Sequence, residues 1–313
     1  MTAAGEAKGR ILVTGGSGQV GEALTRTLAG LGEVIAPGRA ELDLADAASI
    51  RRVMREVPPR WVVNAGAYTA VDKAECEPEL AYAINATAPQ VFAEEARGVG
   101  AVVLHFSTDY VFDGAKESAY VETDATGPLN VYGSTKLAGE AALGASGVPH
   151  LVFRTSWVYG ATGKNFVRSI LRFAREREHL KIVADQHGAP TWSFDLARMT
   201  AHVIAHMEGA AAREKRSLVE AALPASGIFH VSGGGETTWY GFAAEAIAET
   251  KKLEPDAKLA TVEAITTAHY PTPAKRPMNS RMDCAKLERV FGWRMPEWRD
   301  SLVKVIGELV KAG

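Results

Sequence analysis

The stretch Arg10-Ile-Leu-Val-Thr-Gly-Gly-Ser-Gly-Gln-Val-Gly21 decides how the rest of the chain is read. Its first five residues are a short, largely apolar run that stops at Gly15, the pattern of a buried strand. From Gly18 to Ala29, Val20, Leu24, Thr27 and Leu28 recur at helical spacing. Gly15, Gly18 and Gly21 lie between strand and helix. That spacing lets backbone approach a pyrophosphate, whose charge the start of a helix favours. Glycines also build ordinary turns; the strand-to-helix position is what points to a dinucleotide.

Working outward, strand and helix patterns alternate. Strands are expected at Glu33–Ala36, Trp61–Asn64, Ala101–Phe106 and His150–Arg154, with helices from Asp46 to Val57, Glu79 to Arg97 and Asn130 to Ala145. This argues for an α/β fold: a Rossmann-type, doubly wound parallel sheet with helices on both faces. Past Trp157 the alternation weakens. Helices are expected at Phe166–Arg177, Phe194–Met207 and Trp298–Val310, with one more strand at Ile228–Val231. The expected plan is an NAD(P)-binding domain over residues 1–156 and a smaller, mainly substrate-binding part over 157–313, of which about 190–235 returns to the sheet.

Composition narrows the class. The 313 residues are 47% hydrophobic and 23% charged, which fits a globular chain and excludes disorder. Lys+Arg 35 against Asp+Glu 37 gives a net charge of −2, so no basic excess grips nucleic acid. No run approaches the roughly 18 apolar residues of a membrane helix. Met1 to Arg10 reads as neither a signal peptide nor a lipidation site, and the expected location is the cytoplasm. Cys76 and Cys284 are expected to be buried free thiols in a reducing compartment.

Three further features carry chemistry. The second strand ends in Pro37-Gly38-Arg39 where NAD sites place an acid for the ribose 2′-OH; an arginine suits a 2′-phosphate. NADP(H) is therefore the expected cofactor, with NAD(H) tolerated, and Arg39 as a solvated turn residue is the alternative. Asp43, followed by Leu44, sits where a carboxylate could accept from the adenine amino group, while Asp46 suits helix capping. Tyr132 and Lys136, at i and i+4 of an expected helix, share one face, so an ammonium can lower a phenol from its free pKa near ~10. Upstream, Ser107 or Thr108 ends the fourth strand, where open α/β sheets bind ligands, and could donate to a substrate carbonyl oxygen.

Glycine loop, strand-end hydroxyl and Tyr-x-x-x-Lys, in this order, resemble the extended short-chain dehydrogenase/reductases. Within them the chain is similar to the dTDP-4-dehydrorhamnose reductase family. The stretches that carry this are Val63–Glu75, Ser107-Thr-Asp-Tyr-Val-Phe-Asp-Gly114, Pro128–Glu140, Arg154–Tyr159, Asp185–Thr191 and Arg276-Pro-Met-Asn-Ser-Arg281. The resemblance implies Thr108, Tyr132 and Lys136 as catalytic residues, with Asp109 on the sugar nucleotide. It implies Gln19, Val20, Ala67, Tyr68 and Thr69 along the cofactor, Trp157 against the hexose, and Arg276, Asn279 and Arg281 near the pyrophosphate. The implied reaction is NAD(P)H-dependent reduction of the C4 ketone of dTDP-4-dehydro-6-deoxy-L-mannose. Another nucleotide sugar, or a regulatory role like that of the related methionine adenosyltransferase subunit, stays open. So does a homodimer, and a magnesium requirement maps to no cluster. His202 and His206 read as helix-surface histidines, and Ser232-Gly-Gly-Gly235 as a lead-in to a helix capped by Thr237 or Thr238.

Overall fold

In the computed structural model, which describes residues 9–312, Arg10–Thr14 (β1) is enclosed on all but its first residue. Most of the N-terminal stretch judged above for signal and lipidation features lies outside the described residues. The chain continues through Gln19–Leu28 (α1), Glu33–Ile35 (β2), Ala47–Glu56 (α2), Trp61–Asn64 (β3), Ala88–Val99 (α3), Val102–Thr108 (β4), Val131–Ala145 (α4) and His150–Thr155 (β5). Then follow Phe166–Glu176 (α5), Ser193–Glu214 (α6), Gly227–His230 (β6), Trp239–Leu253 (α7), Ala285–Phe291 (α8) and Trp298–Ala312 (α9).

The six strands form one parallel sheet in the order β6-β5-β4-β3-β1-β2. The chain leaves β1 for one edge and returns to its other side at β3, which opens a crevice at their carboxyl ends. On one face Val13, Val63 and Leu104 pack against Leu24 of α1 and Leu196 and Val203 of α6. On the other, Leu12, Val62 and Val103 meet Val53 of α2, Phe92 of α3 and Leu143 of α4. A separate cluster joins α5, α7 and α9 through Leu171, Phe242 and Leu302. No described helix is long and apolar enough to cross a membrane.

Local chemistry sets the helix starts. Asp46 accepts from the Ala48 N–H at 2.9 Å, Asn130 from Gly133 at 2.8 Å and Thr238 from Gly241 at 3.0 Å. The helix expected from Glu79 to Arg97 is instead Pro78–Tyr82, a π turn over Ala83–Thr87, and α3. Pro89 has no N–H to give the Asn85 carbonyl, and the buried Asn85 amide pairs with both backbone groups of Tyr68. Two strands with no clear sequence pattern, His179–Val183 and Thr261–Ile265, pair in parallel outside the main sheet. Both cysteines are free, but Cys76 is exposed rather than buried, because its turn follows the short helix Val71–Ala74 at the surface.

One ion pair lies inside the fold. Arg154 of β5 donates to Glu140 of α4 through Nε at 3.0 Å and Nη2 at 2.6 Å, and both are almost fully enclosed. The Ser107 hydroxyl donates to the same carboxylate, and the guanidinium lies over the Phe112 ring. Removing one partner strands a buried charge. We expect Glu140→Gln to cost about 3–5 kcal/mol of stability in urea denaturation; a loss below about 1 kcal/mol, the range of exposed pairs, would contradict a buried charge pair here.

Candidate active site

The crevice holds a cavity of about 570 Å³ that runs from the glycine loop to the end of β4. Gly15, Gly18, Gln19, Val20 and Gly21 line one end, Ala67 and Thr69 the loop after β3, and Thr108, Asp109, Tyr132, Lys136 and Trp157 the other. These sequence-expected residues, far apart in the chain, thus meet in one place.

The glycine loop is shaped for a close approach. Gly15 has φ +66°, and a Cβ on Gly21 would sit 2.0 Å from the Gly15 carbonyl oxygen. Gly18 starts α1 without a side-chain cap, so the first turn keeps its donors facing an incoming anion. Those features fit a dinucleotide pyrophosphate. The end of β2 abuts the loop, since a Cβ on Gly16 would touch the Ala36 side chain at 3.0 Å.

At the other end Lys136, Thr108 and Asp109 are buried and Tyr132 is half-buried. Lys136 is 1% exposed; its ammonium donates to the Phe106 carbonyl at 2.5 Å and lies 3.1 Å from Nε2 of His105. Burial pulls that ammonium down to about 7, against the opposing pull of Glu140 one turn along α4. Burial pushes the Tyr132 phenol up to about 12, with the Thr108 hydroxyl holding it down and the Asp109 carboxylate pushing it further up. The expected lowering of the phenol by its lysine is not found: burial dominates, and the neighbours that act on the phenol are Thr108 and Asp109. Asp109, likewise enclosed, is pushed up to about 6 by burial, against the hydroxyls of Ser280 and Thr108. Of the two strand-end hydroxyls, Ser107 is committed to Glu140, while Thr108 lines the cavity and donates to Asp109 at 3.0 Å, so it serves a ligand by turning from that neighbour.

Trp157 has φ +48°, a conformation that a bulky residue adopts only under constraint. Its ring stacks on Trp239 at 3.8 Å between centroids, and a Cβ on Gly188 would fall 2.6 Å from it. The indole is thus held in place at the rim of the cavity.

Other expected site residues stand elsewhere. Arg39 is exposed on the turn after β2, where Glu41 accepts from the Gly38 N–H at 2.9 Å. Asp43 accepts from the Ala45 N–H at 3.0 Å, and Leu44 packs towards Gly66. The Tyr68 hydroxyl donates to Glu77 at 2.6 Å, while only its neighbours line the cavity. Arg276 makes a two-pronged pair with Asp72 at 2.7 and 2.8 Å. Asn279 donates to the Lys116 and Ser118 carbonyls, and Arg281 pairs with Glu236 at 2.7 Å and donates to Asn279 Oδ1. Their polar groups tie this loop to distant segments of the chain.

His202 hydrogen-bonds the Phe291 carbonyl at 2.7 Å. The Gly233 and Gly234 N–H groups donate to Thr191 and Pro296, so the second glycine run is tied into the protein. Among the described residues no group of three or more His, Cys, Asp or Glu is placed to hold a metal. Reasoning from sequence missed Gly66, Ser156 and the Gly163-Lys164 turn as lining residues. Gln19 ties that turn down, donating to the Lys164 carbonyl and accepting from Asn165.

Comparison with known proteins agrees with this geometry. The family model of the RmlD substrate binding domain matches residues 9–311. A dTDP-4-dehydrorhamnose reductase of Burkholderia thailandensis is 45% identical over 96% of this chain and 99% of its own. A solved dTDP-4-dehydrorhamnose reductase of Clostridium acetobutylicum superposes with TM-score 0.86 at 36% identity, covering 96% and 99% of the two chains. The Bacillus anthracis enzyme of that name, solved in complex with NADP, gives TM-score 0.84 at 32% identity with the same coverage.

The glycine loop leaves a clear expectation. Gly21→Ala forces a methyl against the Gly15 carbonyl, and dinucleotide affinity measured by calorimetry should fall roughly 100-fold, about 2.7 kcal/mol. An unchanged affinity would remove this loop from the binding site.

Proposed function

We propose that this chain, which belongs to the dTDP-4-dehydrorhamnose reductase family, reduces the C4 ketone of dTDP-4-dehydro-6-deoxy-L-mannose to dTDP-L-rhamnose. The observation that carries the reading is the enclosed set Thr108, Tyr132 and Lys136, in the same cavity as the uncapped glycine loop. When bound, a reduced nicotinamide supplies the hydride. The other half of the reduction is a proton, and the site is arranged to give one.

Tyr132 gives its phenolic proton to the oxygen that develops negative charge at C4. A phenol pushed up to about 12 is fully protonated at neutral pH, which is the form a proton donor needs. Thr108, turning its hydroxyl from Asp109, donates a second hydrogen bond to that oxygen, and donors held at such a position lower the barrier by about 3–4 kcal/mol each. Lys136 supplies positive charge beneath the phenol as it becomes phenolate, and its remaining donor serves the nicotinamide ribose. Asp109 and Trp157 flank the sugar. The Gly15–Gly21 loop holds the pyrophosphate of the dinucleotide.

The cofactor reading favours NADP(H), with NAD(H) accepted. Arg39 stands exposed on the turn after β2, and the nearby Glu41 carboxylate is turned back onto Gly38. The NADP complex of the Bacillus anthracis relative supports this choice. In this reading residues 1–156 hold the dinucleotide and 157–313 mainly cover the sugar nucleotide, with about 190–235 returning to the sheet. Arg276 and Arg281 reach a phosphate only by leaving Asp72 and Glu236.

Tyr132→Phe keeps the ring and removes the proton. Turnover followed by NADPH oxidation at saturating sugar nucleotide should drop roughly 10²–10⁴-fold, as for other general acids, while the NADPH dissociation constant stays within about twofold. Unimpaired turnover would end the proposed role.

A further inference from the structure

Lys136 does not reach the cavity alone. Thr14 of β1, Asn64 of β3 and His105 of β4 are neighbours on one rung of the sheet, paired Thr14 to Asn64 and Asn64 to His105 in the strand register. All three are about 1% exposed, on the face covered by α4. Their side chains form an unbroken line: the Thr14 hydroxyl donates to Asn64 at 2.6 Å, Asn64 lies 2.9 Å from His105 Nδ1, and His105 Nε2 lies 3.1 Å from the Lys136 nitrogen. Thr14 also accepts from the Gly66 N–H at 2.9 Å, which links the line to the loop after β3.

We propose that His105 is a positioning residue for Lys136, with Asn64 and Thr14 setting which imidazole nitrogen carries the hydrogen. A lysine ammonium has three donors and no acceptor. The Phe106 carbonyl takes one in a fixed direction, His105 Nε2 takes a second when the hydrogen is on Nδ1, and the third is left for the cavity that Lys136 lines. Removing the His105 acceptor would free the ammonium to turn away.

The line has two directions. With Thr14 donating to the Asn64 oxygen and the Asn64 nitrogen donating to Nδ1, the hydrogen sits on Nε2 and faces an uncharged lysine amine. With the amide turned over, Nδ1 donates to the Asn64 oxygen, and Nε2 is bare to receive a donor from the ammonium. Either protonation state of Lys136 thus has a paired partner in a place where an unpaired donor is costly. The ionisable groups facing Lys136 are few. They are His105 from β4, Tyr132 and Glu140 from its own helix, and Arg154 of β5 paired to Glu140. Burial, then the nearby ammonium, holds His105 well below its ordinary range, so the imidazole works as a neutral partner.

The inference rests on Lys136 serving the reductase, so its test begins without substrate. Lysine labelled with carbon-13 at Cε is titrated by NMR in the ligand-free wild type, His105→Leu, His105→Asn and His105→Gln. Wild-type Lys136 should titrate near 7. His105→Leu lacks the acceptor and His105→Asn is too short to present one, so both should titrate about one pH unit lower, as for loss of one charged hydrogen bond. His105→Gln carries an amide oxygen of similar reach and should return towards wild type. With substrate, kcat of the Leu and Asn variants should fall about 10- to 100-fold while KM for the sugar nucleotide changes less than about threefold. The alkaline limb of kcat/KM should move down in step with the NMR midpoint. A folded Leu or Asn variant with unchanged midpoint and kcat overturns the proposal, and so does a folded Gln variant as impaired as Leu. A wild type that turns over no dTDP-sugar ketone would count against the reductase reading alone, since the lysine titration still decides the role of His105.

Discussion

The structure depends on keeping one ammonium in a place where water does not reach it. Lys136 is 1% exposed, and a charge so enclosed persists only where acceptors are already aimed at it. The Phe106 carbonyl is one, and His105 is the other when its Nδ1 carries the hydrogen. Seating α4 this closely requires small residues where it meets its neighbours. A Cβ on Gly133 would fall 2.2 Å from the carbonyl oxygen of Tyr110, in the turn after β4, and one on Gly139 equally near that of Asn85 in the π turn. Asn85 also donates to Thr135 of α4 at 3.1 Å. Beneath it, Glu140 and Arg154 neutralise one another.

Burial divides the chemistry among the groups of the site. It moves the phenol and the ammonium in opposite directions, up to about 12 for Tyr132 and down to about 7 for Lys136. The phenol therefore holds its proton firmly, and the lysine sits near its point of half-charge. For a group that must give up a proton only once an alkoxide has begun to form, a high ground-state pKa is no defect. The developing phenolate is met by the lysine charge at close range, where low polarity makes that charge count for more.

Much of this could be read from the chain. The glycine loop, the alternating strands and helices and the Tyr132–Lys136 pair each depend on spacing within a few residues, which is what periodicity reports. The strand-end hydroxyl was legible only as Ser107 or Thr108; the choice depends on Glu140, thirty-three positions from Ser107. His105 gave no signal because it stands in an apolar strand and its partners, Asn64 and Lys136, come from two other elements. Trp157 was expected on the hexose from resemblance, but its left-handed backbone and its seat between Trp239 and Gly188 arise from distant chain segments. Arg276 and Arg281 looked free as sequence, and their acidic partners Asp72 and Glu236 are far away in the chain.

Where the hydride goes decides the reaction. NADPH carrying deuterium at nicotinamide C4 should be incubated with dTDP-4-dehydro-6-deoxy-L-mannose generated in place, and the product examined by proton and deuterium NMR. Where the deuterated face is the one transferred, the label should appear at C4 of dTDP-L-rhamnose and at no other carbon; both deuterated epimers are run so that one must deliver it. Label at another sugar carbon, or none in the sugar with either epimer, would contradict the proposed reaction.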